Sequence, residues 1–156
     1  MNFLHPKCTL ISMILALLTL APSATLAVGP VTAPAQFDIT FASLAKTKKV
    51  VLSDACSWGH EGTRFELKSP TGKVFVVTRI SKPWTKNFPT GDFLLPKGKL
   101  VRTINLDDKS WKGKPFDAGH RHGWQIRAIY APERIPTEKP EIYLTEPVTS
   151  PWAKFS

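Results

Sequence analysis

Short runs in which apolar and polar residues alternate, separated by proline and glycine, constrain the fold of this chain most strongly. Phe37, Ile39 and Phe41 alternate with polar neighbours, and Phe65 and Leu67 do the same. A period of two is the signature of half-buried β-strands, and the 14 prolines disfavour long helices. The pattern therefore predicts an all-β protein and argues against a helical bundle.

Further runs follow with turn residues between them. Ser69-Pro70-Thr71-Gly72 predicts a turn, which makes residues 63–81 the clearest hairpin. Strands are also predicted at 93–95, 100–106, 124–130, 142–144 and 148–155, with a long polar connection at 107–123. On residues 124–130 the alternation assigns Trp124, Ile126, Ala128 and Tyr130 to one face. Seven to nine short strands with frequent turns predict an antiparallel immunoglobulin-like β-sandwich.

The chain begins with a pattern typical of an export signal. Lys7 supplies a positive charge, and an apolar run from Leu10 to Leu20 is too short to span a bilayer. Small residues at Thr25 and Ala27 predict cleavage after Ala27. The sequence thus predicts a signal peptide at residues 1–27, a flexible lead-in at 28–36 and one sandwich domain at 37–156.

The number and position of the cysteines agree with a location in the bacterial cell envelope. Cys8 would leave with the signal peptide, so the mature chain would keep Cys56 alone and form no internal disulfide. The chain also contains no Asn-x-Ser/Thr acceptor for glycosylation. We therefore expect a periplasmic or secreted protein.

Several segments have a resemblance to a known type of domain. Residues 95–99 lead into 101–106 through Pro96 and Gly98, residues 123–130 end in Arg-Ala-Ile-Tyr, and residues 144–151 form a terminal segment. Over residues 63–155 this arrangement resembles bacterial immunoglobulin-like sandwiches of the intracellular proteinase inhibitor type. The resemblance implies the sandwich fold and, as one functional alternative, a proteinase or toxin-neutralising inhibitor.

Two sets of side chains could support function without catalysis. The sequence has no nucleophile elbow, zinc-protease motif or phosphate-binding loop, which favours a binding module over an enzyme. The first set is a candidate copper or zinc site, because thiolate and imidazole suit these metals. Its members are Cys56, His60, His120 and His122. The alternative is a buried cysteine with solvated histidines, and no cofactor.

The second set is basic. The chain carries 21 Lys and Arg against 12 Asp and Glu, a net charge of +9. Three clusters are candidates for contact with an anionic surface: Lys46, Lys48, Lys49; Lys97, Lys99, Arg102; and Lys109, Lys112, Lys114. The expected partner is a protein or an anionic envelope component, with peripheral membrane contact included, and not a nucleic acid. A merely solvated face is the alternative, and the oligomeric state is left open.

Overall fold

The computed structural model describes residues 23–32, 35–47, 49–53, 57–83, 91–115, 121–132 and 143–155, with backbone only at Ser57 and Trp58. The strands are β1 (Ala24–Val28), β2 (Gln36–Ser43), β3 (Val50–Leu52), β4 (Thr63–Lys68), β5 (Val74–Arg79), β6 (Asp92–Leu94), β7 (Lys99–Asn105), β8 (Trp111–Lys112), β9 (Gln125–Tyr130), β10 (Val148–Thr149) and β11 (Ala153–Lys154). One short helix, α1 (Ser57–His60), precedes β4. The prediction of an all-β protein is confirmed.

The strands form three antiparallel sheets. Strands β1, β2 and β7 make the first sheet in that order. The second sheet has the order β10-β9-β4-β5-β8, with β11 also pairing with β9. Strands β3 and β6 form a separate pair. Some of these pairings join neighbouring strands as hairpins and others join strands that are distant in sequence. The antiparallel arrangement is the one predicted.

The core lies between the first two sheets, because the alternating apolar residues of both sheets point inward. Phe37 of β2 meets Phe65 of β4 edge to face at 5.3 Å between ring centroids. Phe41 and Tyr130 make the same contact between β2 and β9, also at 5.3 Å. Such edge-to-face pairs stabilise the fold beyond what the burial of their apolar area contributes. The two sheets therefore pack as the layers of a β-sandwich.

The hairpin predicted over residues 63–81 is present as β4 and β5. Its turn closes through two backbone hydrogen bonds, Ser69 N–H to Lys73 O at 2.8 Å and Gly72 N–H to Ser69 O at 2.9 Å. Gly72 has a φ of +87°, a conformation that glycine adopts without steric cost. The face predicted to be buried on β9 is confirmed for Ile126, Ala128 and Tyr130, with Trp124 partly buried against the core, but Ile129 on the opposite face is buried as well.

The described residues hold eleven strands instead of the predicted seven to nine. The predicted strand at 148–155 is divided into β10 and β11, and two further strands, β1 and β8, lie in segments for which no strand was predicted. Strand β8 has only two residues, which is too short for alternation to reveal it. Strand β8 lies inside the connection predicted at 107–123, where Trp111 is buried and packs against Phe65 at 5.1 Å. Tertiary burial of this tryptophan therefore converts a polar segment into an edge strand.

The chain before β2 is also built into the sandwich. Strand β1 covers residues that overlap the predicted signal segment, and Val31, within the predicted lead-in, is buried and forms a bridge with Phe155. Residues 1–22 lie outside the described residues. Within the described ranges, no helix is long and apolar enough to cross a membrane.

Candidate anionic-surface site

The described lysines of two of the three predicted basic clusters meet at one end of the sandwich. Strand β2 ends at Ser43 where antiparallel β7 begins, and Ser43 N–H donates to Gly98 O at 3.0 Å. The turn from β6 into β7, residues 95–98, therefore lies beside the segment that leaves β2. The pairing of β3 with β6 brings the start of β3, preceded by Lys49, to the same end.

The lysines at this end are presented to solvent. Lys46, Lys49, Lys97 and Lys99 are exposed, while Lys48 lies outside the described residues. The ammonium of Lys49 stands 4.3 Å from the ring centroid of Phe93, a cation–π contact. Residues 43–50 and 93–101 together contain five lysines and no acidic residue. The positive charge at this end is thus not balanced within its own segments.

Large apolar side chains are exposed among these lysines. Leu44, Phe93 and Leu95 have exposed fractions of 52%, 55% and 60%. We call the surface formed by these three residues with Lys46, Lys49, Lys97 and Lys99 the basic rim. A surface that mixes exposed apolar and cationic side chains differs from a solvated charged face, because the apolar side chains gain nothing from contact with water.

The turn that carries Leu95 and Lys97 is closely constrained. Gly98 N–H donates to Leu95 O at 2.8 Å, and Lys97 has a φ of +59°. For a residue with a Cβ, this left-handed conformation costs about 1 to 2 kcal/mol. The turn consequently fixes the backbone at Lys97 and the direction in which its side chain leaves the backbone.

The remaining predicted basic residues lie elsewhere. Arg102 is half-buried in β7 and forms an ion pair with Asp92, so its charge is locally balanced. Lys109, Lys112 and Lys114 follow the opposite end of β7, about 20 Å from its first residue at about 3.3 Å per residue. The three predicted clusters therefore do not form one continuous surface.

The predicted metal ligands are only partly described. Cys56 and His120 lie outside the described residues. His60 precedes β4, and His122 precedes β9, which runs antiparallel to β4 with Thr63 opposite Tyr130 and Lys68 opposite Gln125. The structure thus places His60 and His122 at opposite ends of a ladder about 17 Å long, at about 3.4 Å per residue. The described residues contain no group of three or more potential metal ligands.

His60 has a different environment from that of an exposed metal ligand. Its side chain is buried at the end of α1, and its Nδ1 lies 3.4 Å from Arg79 Nη1. Burial, together with the positive charges of Arg79 and Lys82, lowers the pKa of His60 below its usual value. Its neutral form is therefore favoured in the folded protein. His122, by contrast, is exposed.

The partners of Trp152, on the outer face of the larger sheet, could not be identified from the sequence. Trp152 lies under two cations, with Lys68 Nζ at 4.5 Å and Arg127 Cζ at 4.6 Å from its ring centroid. Arg127 Nε also donates to Glu66 Oε2 at 2.6 Å. These residues are far apart in sequence, and only the pairing of β4 with β9 brings them together. No local pattern signals such a contact.

Comparison with known proteins adds no further constraint on this site. No family model, curated protein or solved structure matches the chain.

Proposed function

We propose that this protein is an exported, non-enzymatic binding module of the cell envelope that docks on an anionic lipid surface through the basic rim. The observation that carries the proposal is the convergence, at one end of the sandwich, of exposed lysines with exposed Leu44, Phe93 and Leu95. Lysine supplies attraction to lipid phosphates, and the apolar side chains can enter the boundary between head groups and acyl chains.

The rim suits a lipid bilayer better than a soluble anionic polymer. A polymer of fixed charges would engage the lysines but would leave the apolar side chains in water. A bilayer satisfies both, because the long lysine stems can lie along apolar surface while their ammonium groups reach the phosphates. The hydrogen-bonded turn at residues 95–98 also limits the backbone ordering required on binding.

The magnitude of the charge contribution is sufficient for measurable binding. A basic residue near an anionic membrane contributes about 1 kcal/mol. Replacing Lys46, Lys97 and Lys99 by glutamine should therefore weaken binding by about 3 kcal/mol, which corresponds to roughly 150-fold in the partition coefficient. All three side chains are exposed, so little effect on folding is expected.

The test is cosedimentation with vesicles containing a high fraction of anionic lipid, compared with purely zwitterionic vesicles. The matched control replaces Lys109, Lys112 and Lys114 by glutamine, which removes the same charge from the other end of β7. The control should bind within about threefold of the unaltered protein. Binding should also fall as salt rises from about 0.1 M to about 1 M, where the Debye length shortens from about 10 Å to about 3 Å.

The apolar part of the rim is tested separately. Leu95→Ser should weaken vesicle binding while leaving retention on a soluble anionic polymer unchanged. If the two triple lysine substitutions weakened vesicle binding equally, the attraction would depend on net charge alone, which would contradict docking through the basic rim. Equal retention on polymer and vesicles, with no effect of Leu95→Ser, would contradict the choice of lipid.

Two other functions stay predictions of the sequence. A copper or zinc site at Cys56 and the histidines predicts ligand-field absorption on titration with cobalt or copper. An inhibitor of the type suggested by the resemblance predicts loss of activity for at least one enzyme in a protease panel.

A further inference from the structure

Strand β1 raises a question about where the export segment is removed. Cleavage after Ala27, as the small-residue pattern predicts, would take away four of the five residues of β1. Those residues pair with β2 in unbroken antiparallel register, from Ala24 opposite Ser43 to Val28 opposite Ile39.

The inward side of β1 belongs to the core. Ala24 and Leu26 are buried within the same apolar cluster as Phe41, while Thr25 and Ala27 point outward and are exposed. The strand also forms one wall of a cavity of about 430 Å³ whose other wall includes Pro147 and Val148. Removal of β1 would therefore take Ala24 and Leu26 out of the core and one wall away from this cavity.

The connection from β1 to β2 is ordered by hydrogen bonds of its own. Gly29 N–H donates to Asp38 O at 2.8 Å, and Thr32 and Gln36 exchange backbone hydrogen bonds at 2.9 and 3.2 Å. These hydrogen bonds extend the pairing of the two strands as far as Thr32 and Gln36. Without its first strand, β2 would lose the pairing of residues 39–43 and present them as a free edge, which favours pairing with other chains.

We infer that β1 is a permanent part of the mature protein and that the cut releasing the export segment falls before Ala24. The bond between Ser23 and Ala24 meets the requirement for small residues, with Ala21 at position −3 and Ser23 at position −1. Ser23 O accepts a hydrogen bond from Leu44 N–H at 3.0 Å, so this bond lies at the basic rim. The inference rests on the export part of the proposed function and is independent of lipid binding.

The direct test is the intact mass of the protein exported from the full chain. We expect a mature N-terminus at Ala24. An N-terminus at Val28 would overturn the inference, and so would an exported chain that keeps Met1. Vesicle binding is not measured in this experiment, so its outcome is separate from that of the lipid proposal.

Two substitutions make the test sharper. Ala27→Tyr places a large side chain at an exposed outward position of β1 and would block a cut after residue 27. We expect processing of this variant to proceed unchanged, whereas Ser23→Tyr should cause the precursor to accumulate. The opposite pattern would refute the inference.

Stability provides a second measurement. A chain that begins at Val28 loses the burial of Leu26 and the ladder on β2, so its melting temperature should lie on the order of 10 °C below that of a chain beginning at Ala24. Equal melting temperatures would show that β1 is dispensable. If the shorter chain does not fold, that result agrees with the inference, and the mass measurement decides the cleavage point.

Discussion

The hydrogen bond between Ser53 and Tyr130 provides the most direct test of how the two-stranded sheet is attached to the sandwich. Ser53 follows β3, and its N–H donates to Tyr130 Oη of β9 at 3.0 Å. Both residues are fully buried. Tyr130→Phe removes the acceptor but keeps the ring and its contact with Phe41.

The expected loss follows from this geometry. A buried N–H deprived of its acceptor costs about 1 to 3 kcal/mol, while the apolar packing of the ring is unchanged. For a chain of this size, the melting temperature should fall by about 3 to 10 °C. Urea unfolding followed by circular dichroism should give the same loss of free energy, with the denaturant dependence unchanged. Hydrogen exchange at the Ser53 amide should accelerate.

Tyr130→Leu serves as the comparison, because it removes both the hydroxyl and the aromatic contact. Its destabilisation should exceed that of Tyr130→Phe. The reasoning is refuted if the free energy of unfolding of Tyr130→Phe lies within about 0.5 kcal/mol of that of the unaltered protein, the range typical of surface substitutions.

Two further predictions concern pH and backbone conformation. Burial and Arg79 lower the pKa of His60, so the unfolded chain binds a proton before the folded protein does as the pH falls below about 6.5. The free energy of unfolding should therefore decrease in that range. Urea midpoints at several pH values should show this decrease, and His60→Gln should weaken it. Gly72 and Gly113 share a φ of +87°, but an added Cβ would meet nothing at Gly72 and would lie 2.4 Å from Val76 O at Gly113. Gly72→Ala should therefore cost about 1 kcal/mol and Gly113→Ala considerably more, whereas equal losses would argue against the steric explanation.

The fold class was predictable because the relevant signal is local. Alternation on residues 63–68 and 124–130 reports which side of each strand is apolar, and the structure has Phe65 and Ile126 on the buried side as predicted. The turn at Ser69 to Gly72 was equally clear, since proline and glycine restrict the backbone through their own covalent structure. The two-residue strand at Trp111 lacked any period and was missed.

For the candidate site, the sequence predicted the residues involved but not their spatial arrangement. The sequence supplies the lysines and the exposed apolar residues of the basic rim, but the clusters are separated by about 50 residues along the chain. Their meeting depends on the antiparallel pairing of β2 with β7 and of β3 with β6. The same pairing rules separate Lys109, Lys112 and Lys114 from the rim, although composition alone groups all three clusters together.

The sequence by itself determined that this chain forms short antiparallel strands, since alternation and turn chemistry act between residues that are close along the backbone. Only the tertiary structure decided the strand order, the burial of Trp111 and the inclusion of Ala24 and Leu26 in the core. The physical reason is that burial depends on which distant strand supplies the opposing surface. A segment such as β1, which reads as the end of an export signal, becomes a core strand because β2 offers it a complete ladder.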